Sequence, residues 1–321
     1  ANMRATFAPL KLNLMSLLTV GTMAYDALET PFGKTDRILG GAATYIALSA
    51  SYHVPNSNVV SVVGADFEQK HLDLLKSKGA NLKGVQIIED GKTFFWSGKY
   101  HKDMNTRDTI DTQLNVLADF NPVVPEEFKD CRYLMLGNLL PAVQQQVLDQ
   151  LPNRPKLVVL DTMNFWMDNC WDDLVEALKG VDVLTINDEE ARQMSGEYSL
   201  VKGAKKIMKM GPKYLIIKKG EHGALLFHED QIFSAPALPL EDVFDPTGAG
   251  DTFAGGFIGY IAKTDDISFE NMKRAVIWGS AMASFTVEKF GTERIANLTT
   301  EEINARLEEF KNLIRVDIQL M

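Results

Sequence analysis

Little in this sequence is built for crosslinking, metal capture or membrane insertion. Of its 321 residues only two are cysteines, Cys131 and Cys170, far apart and without a Cys-x-x-Cys spacing. That excludes a disulfide scaffold and a zinc ribbon, and it suits a reducing cytoplasm. The five histidines show no metal-ligand spacing. No apolar run approaches the ~18 residues that a membrane span needs. Basic residues are outnumbered, 33 Lys and Arg against 43 Asp and Glu, for a formal net charge of −10. A surface of that sign repels nucleic acid and anionic lipid, so neither is expected as a partner. What remains is ordinary: 45% hydrophobic and 24% charged residues, enough to bury a core without staples.

Residues 1–14 carry Arg4, Lys11 and scattered apolar residues but no long apolar stretch, so a signal peptide is not expected. They read as an extension or tail, and residues 15–321 as one domain.

Along that domain, short apolar runs alternate with amphipathic stretches. Strands are expected at Ser16–Gly21, Asn58–Val63, Arg132–Leu136, Lys156–Leu160, Val181–Ile186 and Lys213–Ile217. Unbroken runs such as Leu157-Val158-Val159-Leu160 mark strands covered on both faces of a parallel sheet. Helices are expected at Phe67–Lys78, Pro141–Leu151, Trp171–Lys179, Asn187–Met194, Leu200–Met210, Phe269–Thr286 and Thr300–Ile314. The alternation predicts a layered α/β fold. Two segments break it: Thr22–Leu39 has no helical period, and Thr93–Leu117 alternates β-type residues with turn residues. Together they predict a small β-sheet outside the main one, placed as a lid.

The chemistry concentrates in Asp245-Pro246-Thr247-Gly248-Ala249-Gly250-Asp251, just before an apolar helix. Glycines let a ligand approach the backbone, and the first N–H groups of a helix lack internal partners at its positive end. Gly248, Ala249 and Gly250 could thus cradle a phosphoryl group, with Asp251 beside them as proton acceptor. On spacing alone, Gly-Ala-Gly could equally be a tight turn and Asp251 a helix cap.

The segment resembles the C-terminal signature of the ribokinase-like (PfkB) kinases, and the resemblance covers nearly the whole chain. Gly40-Gly41 before a helix is similar to the family's di-glycine. Gly21-Thr22-Met23-Ala24-Tyr25-Asp26 resembles its first strand end, where an Asp holds substrate hydroxyls. Val63-Gly64-Ala65-Asp66 is similar to its V-G-x-D turn, Asn187-Asp188-Glu189-Glu190 to its N-x-x-E motif, and Lys218-Lys219-Gly220-Glu221-His222-Gly223 to the turn beside the nucleotide.

The resemblance implies a three-layer α/β/α sandwich with a mostly parallel central sheet and a β-lid. It implies a cytoplasmic kinase passing the γ-phosphoryl of ATP to a hydroxyl, with Mg2+ and, in some members, a monovalent cation such as K+. Asp251 would be the catalytic base, and Asn187 and Glu190 would organise the metal through water. Asp245 would assist the monovalent cation. Lys218, Gly220, Gly223 and Thr247 would flank the nucleotide. Asp26, Gly40, Gly41, Tyr45 and Arg107 would meet the acceptor.

Two departures bear on that acceptor: sugar kinases of the family often have Asn where this chain has Tyr45, and a polar residue is common where this chain has Ala24 at the first strand end. A sugar is expected first, with a nucleoside as the alternative and Tyr45 and the aromatics of Phe94-Phe95-Trp96 as candidate base contacts. The lid could also join two copies as a homodimer. Other nucleotide motifs fail. Gly33-Lys34-Thr35 and Gly91-Lys92-Thr93 have Leu28 and Gln86 where a P-loop needs glycine, and Phe253 stands where G-x-G-x-x-G needs its third.

Overall fold

The apolar runs become strands because each has two faces to bury. In Leu157–Asp161, Val158 and Leu160 enter one hydrophobic core while Leu157 and Val159 enter another on the opposite side of the sheet. The computed structural model describes residues 16–317; the expected tail, residues 1–14, lies outside them.

The main sheet has nine strands in the order β14-β13-β12-β11-β10-β9-β1-β5-β6. They are β1 Leu17–Val20, β5 Ser57–Gly64, β6 Ala80–Ile88, β9 Tyr133–Leu136, β10 Leu157–Asp161, β11 Val183–Asn187, β12 Tyr214–Lys218, β13 Ala224–His228 and β14 Gln231–Ala235. All neighbours pair in parallel except β12–β13 and β13–β14. The chain builds outward from β1 through β5 to β6, then returns to β9 and builds the other way. The reversal leaves a crevice past the carboxyl ends of β1 and β9, where open α/β sheets bind ligands.

Ten helices are described: α1 Ala42–Ala50, α2 Gln69–Ser77, α3 Pro141–Asp149, α4 Asn164–Asn169, α5 Trp171–Leu178, α6 Asp188–Ser195, α7 Leu200–Met208, α8 Ala249–Thr264, α9 Phe269–Thr286 and α10 Thr300–Ile314. Residues of α3, α5, α6 and α7 fill one core and residues of α1, α8 and α9 the other, giving three layers. Helix α8 lies tight against α1, since a Cβ on Gly255 would come within 2.4 Å of the Ile46 carbonyl oxygen. That contact brings the start of α1 and the start of α8 to the same end of the sheet.

The two segments without helical period do form one small sheet. Its strands are β2 Ala24–Thr30, β3 Gly33–Lys34, β4 Ile38–Gly40, β7 Phe95–Tyr100 and β8 Arg107–Gln113. The order is β3-β2-β7-β8, with β4 also on β2. Three strands were not expected from the sequence: β6, and the antiparallel pair β13–β14 at the sheet's far edge.

Candidate active site

The cradle segment adopts its shape for local reasons. Gly248 has φ 74°, a backbone that favours glycine, and a Cβ there would collide with the Tyr45 ring at 2.4 Å. Asp245 fixes the loop: its Oδ1 accepts from the Thr247 N–H (2.9 Å) and its Oδ2 from the Gly291 N–H (2.8 Å). Helix α8 begins at Ala249. The Ala249 N–H donates to the Pro246 carbonyl at 3.2 Å, closing a turn. That corrects the expected donor trio, because this amide is already engaged. Among the described residues the N–H groups of Gly248, Gly250 and Asp251 carry no such bond, so Asp251 takes the place of Ala249 among the open donors.

Asp251 stands in the first turn of α8. Burial lifts its carboxyl to about 7, the Asp161 charge adds to the rise, and the Lys218 and Arg107 charges oppose it. A carboxyl placed near neutrality is suited to taking a proton from an alcohol. Buried hydroxyl bonds hold the helix start: Ser49 Oγ donates to the Thr252 carbonyl (2.7 Å) and Thr286 Oγ1 to Thr252 Oγ1 (2.9 Å).

Facing this helix is the expected acceptor side. Asp26 on β2 is buried, and a Cβ on Gly40 would overlap its Oδ2, so glycine is required at that position. Burial, then the charges of Asp245 and Asp251, push Asp26 up to about 8. Gly41 precedes α1, whose first amide, from Ala42, donates to Thr22 Oγ1 at 2.9 Å. Tyr45 is fully buried beneath Gly248, and its hydroxyl has no partner among the described residues. Its ring is sealed in protein and cannot stack on a base, which corrects that expectation; burial, then the charges of Asp245, Asp26 and Asp251, hold the pKa of its hydroxyl well above the usual value.

On the nucleotide side, Asn187 and Glu190 form a reciprocal cap at the start of α6. The Asn187 N–H donates to Glu190 Oε2 (2.7 Å) and the Glu190 N–H to Asn187 Oδ1 (2.8 Å). The cap uses one carboxylate oxygen of Glu190 and leaves the other. Burial lifts this carboxyl to about 7, with Lys218 pulling the other way. A buried acid held near neutrality gains from a nearby cation, so Asn187 and Glu190 fit a water-linked Mg2+. Asp245 fits a monovalent cation less directly, since both its oxygens already accept backbone N–H groups.

Gly220 and Gly223 turn between β12 and β13 with φ 54° and 82°. A Cβ on Gly220 would lie 2.7 Å from Oδ1 of Asn105, in the turn between β7 and β8. Thr247 donates its hydroxyl to Tyr100 Oη at 3.0 Å, a second link to the small sheet. Arg107, at the start of β8, is exposed, with its guanidinium carbon 5.9 Å from the Trp96 ring centre. Its charge nevertheless reaches Asp251 and Glu190. Two participants, Tyr100 and Asn105, were not singled out from the sequence. Asp161 also borders the site; its sequence signal is an acid closing the apolar run of β10.

A doubly covered parallel sheet whose strand ends gather an open helix N-terminus, a near-neutral carboxyl and a buried acid pair describes a phosphotransferase. The chain belongs to the pfkB family of carbohydrate kinases, whose model matches residues 17–299. It is an ATP-dependent phosphotransferase with an alcohol group as acceptor. A cytidine kinase of Thermococcus kodakarensis is 30% identical over 251 residues, 76% of this chain and 88% of the relative. The fold is shared with a nucleoside kinase of Burkholderia thailandensis in complex with inosine, at TM-score 0.75, 23% identity and coverage of 91% and 97% of the two chains. It is shared also with an E. coli protein assigned as a ribokinase II, in complex with ATP and Mg2+, at TM-score 0.76, 18% identity and coverage of 91% and 99%.

Proposed function

We propose that this kinase phosphorylates a hydroxyl of a nucleoside. Both acceptor classes expected from the sequence occur in the family. The observation that carries the nucleoside is the 30% identity to a cytidine kinase along 88% of that protein's length. Asp26 and the Gly40–Gly41 backbone would hold the sugar hydroxyls, and the small sheet would act as the lid. Asp251 takes the proton of the attacking hydroxyl, and the open N–H groups at the start of α8 balance negative charge as the bond forms. ATP supplies the γ-phosphoryl group, and Mg2+ at Asn187 and Glu190 would offset phosphate charge. Arg107 extends from the lid toward the same space.

A panel of cytidine, uridine, adenosine, inosine, ribose and fructose, each with Mg-ATP, tests this. A nucleoside should exceed every free sugar in kcat/KM. A free sugar above all nucleosides overturns the reading and leaves the kinase assignment intact; repeating the panel with K+ and with Li+ decides whether a monovalent cation is needed.

Two wider proposals accompany it. The free thiols of Cys131 and Cys170 support a cytoplasmic setting. The edge strand β8, exposed along its whole length, supports a homodimer formed through the lid.

A further inference from the structure

An ammonium lies against the cradle, and an acid on another strand holds it there. Lys218 ends β12; a Cβ on Gly250 would lie 3.1 Å from its Nζ. Two strands away in the sheet, Asp161 ends β10 and accepts from Lys218 Nζ at 3.0 Å through Oδ2. Its other oxygen accepts the Thr162 N–H at 2.9 Å, so the carboxylate is pinned by its own backbone. Little of either side chain meets solvent, 18% for Lys218 and 7% for Asp161. A buried pair of this kind is a poor way to gain stability, which points to a role at the site.

We propose that Asp161 is a positioning residue: it holds the Lys218 ammonium beside Gly250 and Asp251, where it offsets negative charge at the reacting centre. The proposal rests on Asp251 as the proton acceptor. The charged groups around Asp251 come from several elements. Asp161 (β10) and Asp26 (β2) are acidic, Lys218 (β12) and Arg107 (β8) are basic, and the Tyr45 hydroxyl (α1) is neutral. Lys218 is attracted to Asp161 first, then to Glu190 and Asp251. Without Asp161 the ammonium would fall to those two acids and neutralise a base or a metal-side carboxylate. With Asp161 present it stays beside both without being committed to either.

Asp161 repels the ionised form of Asp251 and Lys218 favours it, so removing each should act in opposite directions. The measurement is the acid limb of the kcat/KM profile for the acceptor against pH, at saturating Mg-ATP. Asp161→Asn should move the limb toward acid by roughly 1 pH unit, and Lys218→Met toward alkali by roughly as much. Lys218→Met should also lower kcat by about 10²-fold, as loss of a charge-stabilising group does. Lys218→Arg, which keeps the charge, should hold the limb in place, and Asp161→Asn/Lys218→Met should bring it back toward wild type. Limbs that stay still, or move the same way in both single variants, overturn the proposal.

Melting temperature and ATP affinity, measured on each variant, separate loss of fold from loss of function. If a single variant does not fold, Lys218→Arg and the double variant decide: equal kcat in the two overturns the proposal. An inactive Asp251→Asn with immobile limbs removes only this inference, whereas an active Asp251→Asn removes the base assignment beneath it.

Discussion

On the proposed mechanism, the protonation of one residue, Asp251, decides turnover. Gly248, not Asp251, occupies the N-cap position, so replacing Asp251 with Asn keeps the shape of the first turn and removes only the proposed proton acceptor. We expect kcat to fall by roughly 10²–10⁴-fold, with ATP affinity and melting temperature little changed. A residue that only capped the helix would leave kcat near normal, so measuring the three quantities together separates the roles. The sequence placed Asp251 correctly at the start of a helix, because the turn-forming glycines and the apolar run after them are local signals. It could not show that Ala249's amide is consumed by a turn, or that the Tyr45 ring is sealed under Gly248. The turn is a three-residue hydrogen bond that the motif does not announce, whereas the sealed ring follows from how α1 and α8 pack, which no local pattern carries.

At the scale of elements, the small sheet is fastened to the main body at identifiable points. Asp66, in the turn after β5, grips both of its segments: Oδ1 accepts from the Thr93 N–H and Oγ1, each at 2.7 Å, and Oδ2 pairs with Arg37 at 2.5 Å. Arg37 also lies over the Tyr25 ring, 3.9 Å from its centre. Nearer the cradle, the Thr247–Tyr100 hydrogen bond ties the end of β7 to the loop that carries Gly248. Tyr100→Phe keeps the ring and removes that acceptor. If the sheet closes over the acceptor, the variant should raise KM for the acceptor several-fold while kcat falls less, since a lost lid contact weakens closure more than chemistry. An unchanged KM would show that the bond plays no part in closure.

The elements themselves were largely legible. Helices Phe269–Thr286 and Thr300–Ile314 fall where the sequence predicts them, and the six expected strands are all present within a residue or two. The missed strands have physical explanations. Strand β6 lies at the sheet's edge with much of its surface exposed, so it lacks the unbroken apolar run used as the signal. The β13–β14 hairpin turns at Glu229-Asp230, where Glu229 takes φ 51° without a glycine to announce it.

Across the whole molecule, the site costs stability in a pH-dependent way. Asp26 is lifted by burial to about 8, so the fold disfavours its ionised form more than the unfolded chain does. The penalty is absent below about pH 4, grows as pH rises, and is complete above about pH 8. Without ligands, Asp26→Asn should therefore melt higher than wild type at about pH 8.5 and nearly alike at about pH 4, even as acceptor binding is lost. Differential scanning calorimetry across that range checks it, and a lower melting temperature for the variant at about pH 8.5 would contradict the assignment. At the opposite end of α8, Asp265 is held well below the usual carboxylate range by hydrogen bonds from Arg132 and Lys156, so the far end of the helix is charged and stapled while its start is buried and strained in charge.

Three features of this protein were determined by the sequence alone, because each is set over a few neighbouring residues: the alternation of strands and helices, the glycine-flanked Asp251, and the Asn187–Glu190 cap. The tertiary structure decided what distant residues do to one another. It set Asp161 against Lys218, exposed the buried Tyr45 hydroxyl to the charges of Asp245 and Asp251, and brought Asn105 to within touching distance of Gly220. Those encounters join positions 57 residues apart for Asp161 and Lys218, 200 and 206 apart for Tyr45 with Asp245 and Asp251, and 115 apart for Asn105 and Gly220. Their energies depend on burial and on the sum of nearby charges, and neither exists until the sheet has closed and the helices have covered it.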